Sequence, residues 1–75
     1  MELDRITRDP NVMSGKPCVR GMRGTVGMIV GLVASGHAND QILRAYPYLE
    51  AEDIRQALAY AAWRVEEIEL PLPAA

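Results

Sequence analysis

The sequence predicts a mainly α-helical domain, with a short N-terminal β-hairpin-like arm and a three-helix core of the helix-turn-helix, homeodomain-like type. Three observations carry this. Turn formers crowd the first part of the chain, with Pro10, Asn11, Gly15 and Pro17 set among short apolar pairs. An apolar run of helix length, Val26 to Ala34, is bracketed by Thr25 and Gly36. Further on, Ile54, Leu58, Ala61, Val65 and Ile68 recur at spacings of four and three, which puts them on one face of a helix.

Residues 1–24 read as the extended arm. Leu3-Asp-Arg-Ile-Thr7 approximates an alternation of apolar and polar side chains and suits a short strand, and Cys18-Val19 is its returning partner across the turn-rich segment. Residues 25–69 read as the helical core. Thr25 has a side-chain oxygen able to accept an orphan N–H of the first turn, and Gly36 suits the left-handed stop after the last. Gly27 and Gly31 lie four residues apart on one face of this first helix, where a second backbone can approach closely. The helix is apolar nearly all round, which predicts a central or dimer-contact position. A second helix follows over Asp40 to Tyr46, capped by Asn39 and ended by Pro47, with Ile42, Leu43 and Tyr46 on one side. The third spans Ala51 to Ile68, and its acidic start suits the positive end of the helix dipole. Residues 70–75, Leu-Pro-Leu-Pro-Ala-Ala, read as a flexible tail.

Composition narrows the function. A chain of 75 residues buries only roughly 60% of its unfolded surface, so a homodimer or higher homo-oligomer is the expected state. No phenylalanine is present and Trp63 is the single tryptophan, so Trp63 and Tyr60 add apolar surface beyond what a small aliphatic core needs. Together with Gly27 and Gly31 they are the expected partner or dimer contacts. One cysteine and one histidine, Cys18 and His37, make neither a disulfide nor a zinc site in one chain, and no carboxylate is obviously placed to orient the histidine as a base. No enzyme activity, metal or cofactor is expected. The longest apolar run is too short to cross a bilayer, and the N-terminus lacks the basic-then-apolar order of a secretion signal, so a cytoplasmic protein without membrane contact is the expectation.

The stretch Ser14-Gly-Lys-Pro-Cys-Val-Arg-Gly-Met-Arg-Gly24 invites a phosphate-binding reading. A Walker-type loop fails here: Pro10 stands where its first glycine belongs and Pro17 follows the lysine, and both remove N–H groups that would cradle phosphate. Nucleic acid is the more open question. The net charge is −2, yet no acidic residue occurs between Pro10 and Asn39, and seven of the ten carboxylates lie beyond residue 24. Lys16, Arg20 and Arg23 are candidate phosphate contacts, or else arginines bound to the carboxylates of residues 50–53. At the start of the third helix, Arg55 and Gln56 are candidate base readers, or else members of a helix that simply packs.

Taken in order, Ile6, Asp9-Pro10, Gly15-Lys-Pro17, Arg20-Gly-Met-Arg23, the apolar helix ending in Gly36, Ile42-Leu43, Tyr46-Pro47, Leu49, Glu52-Asp-Ile54 and Ala57-Leu-Ala-Tyr-Ala61 resemble the family catalogued as "domain of unknown function 433". The resemblance implies a small prokaryotic domain with a helix-turn-helix-like core that acts as an antitoxin. Its expected partners are a cognate toxin similar to PIN-type nucleases, which it would bind and neutralise, and operator DNA, through which it would repress its own operon. The alternative is a protein-interaction or dimerisation module of the same shape with no role on DNA. Ala38 and Glu50 stand where the family usually caps its second and third helices with Ser or Thr, and Met22 and Gly24 also depart from its pattern.

Overall fold

The computed structural model describes residues 3–21 and 24–67. In chain order these form β1 (Ile6–Thr7), a 3-10 turn (Met13–Gly15), β2 (Cys18–Val19), α1 (Val26–Ala34), α2 (Asn39–Ala45) and α3 (Ala51–Glu67). The strands pair antiparallel, with Ile6 opposite Val19 and Thr7 opposite Cys18. Cys18 also bridges Thr25, because the chain doubles back between Val19 and Gly24 and the Val26 N–H reaches the Pro17 carbonyl at 3.0 Å. Arg20 and Gly21 make that reversal with positive φ angles of 51° and 70°. The arm therefore turns twice before delivering the chain into α1. No helix among the described residues is long and apolar enough to cross a membrane.

Both ends of α1 follow from local chemistry. The Thr25 hydroxyl accepts the Met28 N–H at 3.1 Å. At the other end Gly36, at φ 93°, lets its own N–H reach the Val33 carbonyl while the His37 N–H reaches Leu32, the paired bonds of a Schellman stop. Asn39, by contrast, is not the cap of α2. It is the first helical residue, Ala38 occupies the cap position, and the Gln41 side chain accepts the Ala38 N–H at 2.9 Å. The long amide of Gln41 reaches back to cover the N–H at the cap, so the helix starts one residue earlier than expected. At its far end α2 stops at Ala45, ahead of Pro47.

α1 packs chiefly on α3, with α2 and β1 against the same helix. Val19, Val26, Ile29, Ile42, Leu49, Ile54 and Ala57 form one buried cluster, and Cys18 is buried beside it. Gly24 is buried where the Tyr48 ring crosses it, so closely that an added Cβ would lie 3.1 Å from the phenol oxygen. The described face of α1 that carries Gly27 and Gly31 is exposed, and among the described residues no atom apart from the chain neighbours and the helix's own backbone lies within 4 Å of where either Cβ would be. Close approach to a backbone inside the chain is therefore not what these two glycines serve.

The apolar stripe of α3 is corrected by the structure. Ile54 is fully buried and Leu58 and Ala61 half so, but Val65 is 69% exposed, and Ile68 lies outside the described residues. The reason is length. α3 has 17 residues and α1 has 9, so at 1.5 Å per residue α3 is about 12 Å longer than the helix it packs on. The shorter helix cannot cover the longer one along its whole length.

Candidate functional site

Two features stand out above this frame: a buried charge network that joins the arm to α3, and an apolar groove beside it. The network is centred on Asp53, whose side chain is 0% exposed. It is the third residue of α3, and its Oδ2 accepts the Glu50 N–H at 2.7 Å, the reach-back bond of a capping box. Arg20 approaches as a fork, Nε to Oδ1 at 3.1 Å and Nη2 to Oδ2 at 2.8 Å. Arg5 Nη1 bonds Oδ1 at 3.1 Å and Glu50 Oε1 at 2.6 Å. Four donors thus fill the four acceptor sites of one carboxylate, which is the arrangement a buried charge requires. The Arg20 Nη2 also donates to the Tyr48 carbonyl at 2.6 Å.

A second layer runs through Gln56, which is also buried. Its Oε1 accepts the Arg5 N–H at 2.9 Å, and its Nε2 donates to Asp4 Oδ1 at 2.8 Å and Glu52 Oε2 at 2.9 Å. Glu52 in turn takes Arg55, with Nε to Oε1 at 2.7 Å and a second bond from Nη2 to Oε2. Burial pushes the Asp53 carboxyl up, but the Glu50 N–H and the guanidinium groups of Arg20 and Arg5 together hold it below its ordinary value. Hydrogen bonds from Arg55 and Gln56 bring Glu52 down to about 2.

The sign of the pH dependence follows. A carboxylate whose pKa is lowered by folding contributes stability above its unfolded value and loses it as pH falls toward its folded value. Urea midpoints are therefore expected to stay level down to about pH 5 and to fall steadily below the ordinary glutamate value of 4.5 toward 2. A flat profile across that interval would mean that neither carboxylate is held by its partners.

The residues read as DNA contacts separate. Arg20 and Gln56 face inward, so the base-reading role for Gln56 is corrected: its amide is spent on Arg5, Asp4 and Glu52. For Arg20 the alternative drawn from the sequence, an arginine bound to the carboxylates of residues 50–53, is the arrangement found. Arg55 is exposed but paired with Glu52, Lys16 is exposed, and Arg23 lies outside the described residues. Arg5 was not singled out from the sequence. The signal was present in Asp53 and Gln56, which flank Ile54 and Ala57 at helical spacing and so had to face the interior with partners.

The groove lies between β1 and α3, has a volume of about 460 Å³ and is lined by Leu3, Ile6, Arg8, Tyr60 and Trp63. Tyr60 and Trp63 contact each other with ring centres 5.9 Å apart. Arg64 lies over the Trp63 ring at 6.0 Å. Trp63 is 44% exposed, a large apolar area for a small domain to leave in water. Of the four expected partner contacts, Tyr60 and Trp63 come together here. Gly27 and Gly31 lie on a different element, α1, and do not line this groove. Among the described residues, no group of three His, Cys, Asp or Glu side chains could hold a metal ion.

The sequence model of a family described as a protein of unknown function, DUF433, matches residues 6–61. Uncharacterized protein y4eO of Sinorhizobium fredii (strain NBRC 101917 / NGR234) is 43% identical over 56 residues, which cover 75% of this chain and 25% of y4eO. This chain thus spans about a quarter of that relative's length. Among solved structures, a DUF433 member protein from Anabaena variabilis ATCC 29413 is similar with a TM-score of 0.78 and 30% identity, over 85% of this chain and 63% of that one.

Proposed function

The chain belongs to the DUF433 family, and on that premise we propose that it is a protein-binding module of the antitoxin type, which neutralises a cognate PIN-like nuclease toxin by docking it on the Tyr60–Trp63 groove. The observation that carries the reading is the groove itself. Interfaces concentrate their binding energy in a few aromatic and arginine side chains set in a pocket, and Tyr60, Trp63 and Arg8 supply that set here. One relative supports a module as well, since the matched unit makes up a quarter of y4eO.

Co-expression with the product of the adjacent reading frame tests this. The two proteins are expected to co-purify, and the neighbour to be toxic when expressed alone. Trp63→Ala is expected to weaken the complex by about 2 kcal/mol or more, roughly thirtyfold, with the folded domain unchanged. A neighbour that is harmless alone and forms no complex removes the antitoxin reading.

Operator binding is the second reading, favoured by the arrangement of α2, a five-residue turn and α3 with an exposed arginine, Arg55, near the start of the second of the two helices. Lys16 on the arm would add a phosphate contact. A gel shift on the operon's upstream DNA, alone and with the partner, is expected to weaken steeply with salt. No shift at low salt in either case removes DNA from the account.

A further inference from the structure

Four arginines are matched by carboxylates of the chain: Arg5 and Arg20 meet Asp53, Arg44 meets Asp40 and Arg55 meets Glu52. Arg8 is exposed and makes no ion pair among the described residues. The adjacent carboxylate, Asp9, turns to its own loop and accepts the Asn11 N–H at 2.9 Å. Arg8 is nevertheless oriented. Its Nε donates to the Gly15 carbonyl at 3.1 Å, where the chain comes back through a left-handed run of Met13, Ser14 and Gly15 at φ 49°, 58° and 81°. With Nε held, Nη1 and Nη2 make no hydrogen bond among the described residues. They form the fork that takes both oxygens of one carboxylate.

Arg8 is also a wall of two depressions. One is the groove with Leu3, Ile6, Tyr60 and Trp63, and the other is a hollow of about 440 Å³ lined by Asp9, Pro10, Ser14 and Gly15. A chain lying in both must pass Arg8 rather than stop there, so the matching carboxylate is a side chain within a segment and not a chain terminus. The charges nearby select against a polyanion. Asp9 lines the second hollow and Glu66 stands one helical turn beyond Trp63, so a phosphate backbone would be repelled on both sides of Arg8. A single carboxylate set among apolar side chains fits, because the two rings lie 5.9 Å apart and offer apolar contact beside the fork. In an extended segment residues i and i+2 face the same side, which separates acid and anchor by one residue.

We propose that Arg8 reads charge in this groove, and that the partner presents an extended protein segment with an internal Asp or Glu two residues from a leucine or aromatic side chain. The carboxylate takes Nη1 and Nη2 of Arg8 while the apolar side chain lies on Tyr60 and Trp63. This rests on the groove being a protein-docking surface, as proposed above, and names what the toxin must carry to dock there.

The blocked peptide acetyl-Leu-Ala-Glu-Ala-Leu-amide is the probe. It is symmetric about its glutamate, so either chain direction places a leucine two residues from the acid. Proton–nitrogen correlation spectra of the full chain report binding, since the single tryptophan gives one indole N–H signal and the Arg8 Nε–H lies at the site. The glutamate peptide is expected to shift both signals, and its glutamine counterpart to bind roughly tenfold more weakly. Arg8→Gln should bring the two peptides within about twofold of each other, with the rest of the spectrum in place. Lys16→Gln, which removes an exposed cation that lines neither depression, should leave the tenfold ratio intact. The proposal is overturned if the unaltered chain shows no preference for glutamate, if the preference survives Arg8→Gln, or if Lys16→Gln erases it equally. An oligothymidylate that shifts both signals where the peptide does not assigns the groove to nucleic acid and overturns it too. In the co-purified pair, Arg8→Gln is expected to weaken the complex about tenfold. A complex sensitive to Trp63→Ala but indifferent to Arg8→Gln removes the charge reading and leaves the docking surface standing. If no complex forms, the docking reading falls, and the peptides still decide the role of Arg8.

Discussion

Asp53→Asn is expected to destabilise the domain by roughly 2–4 kcal/mol, a large part of the stability that a chain this small has. The substitution keeps the shape and one acceptor for the Glu50 N–H, but it removes the charge that two guanidinium groups converge on. Arg5 and Arg20 remain 29% and 37% exposed, so both regain water when the carboxylate is lost, which holds the cost below that of a fully enclosed pair. In thermal unfolding the loss should appear as a fall in Tm of about 10 °C or more. Arg20→Gln should cost less, about 1–2 kcal/mol, because Arg5 still compensates Asp53. The double variant should fall short of the sum by more than about 0.5 kcal/mol, the mark of two groups sharing one interaction. An Asp53→Asn protein within 0.5 kcal/mol of the unaltered one would show that the network orients the arm without stabilising it.

Ile54→Ala should cost a comparable amount, roughly 2–5 kcal/mol, by a different route. Ile54 is fully buried and belongs to the cluster of Val19, Val26, Ile29 and Ala57, contributed by β2, α1 and α3 itself. Truncation leaves a cavity between elements that cannot close without moving the arm. Val65→Ala, eleven residues along the same sequence stripe, should change stability by no more than about 0.5 kcal/mol, since the side chain stands in water. Urea denaturation of the two variants measures the contrast. Similar losses at both positions would mean that the last turns of α3 are packed in solution.

How much of this was legible in the sequence depends on how far apart the interacting residues lie. The cap at Thr25, the stop at Gly36 and the pairing of Ile6 with Val19 rest on chemistry within a few residues or one turn-rich loop, and each can be read from local residue types. Gln41 displaced the expected cap at Asn39 because a longer side chain three residues on reaches the same N–H, a competition that residue type alone does not decide. The periodicity of α3 identified a helix but not where its burial stops, since that depends on the shorter length of α1. For the charge network, the carboxylates of residues 50–53 were a recognisable destination for Arg20. Arg5 and Gln56 were not recognisable as partners, because they lie 51 residues apart and meet only when the arm folds over α3. Of the groove, the sequence marked Tyr60 and Trp63 as surplus apolar surface and left out Leu3, Ile6 and Arg8, which the same fold-over brings to them.

That sequence separation also has a kinetic consequence. The contact between α2 and α3 closes a short loop, whereas the bonds from Arg5 and Arg20 to Asp53 span 48 and 33 residues and need the helices in place first. A contact made after the rate-limiting step leaves the folding rate nearly untouched and acts on the reverse reaction. Asp53→Asn should therefore leave the refolding arm of a chevron almost unchanged and raise the unfolding rate by up to roughly thirtyfold for each 2 kcal/mol lost. On this account the carboxylate under the arm governs how long the folded molecule lasts rather than how quickly it forms.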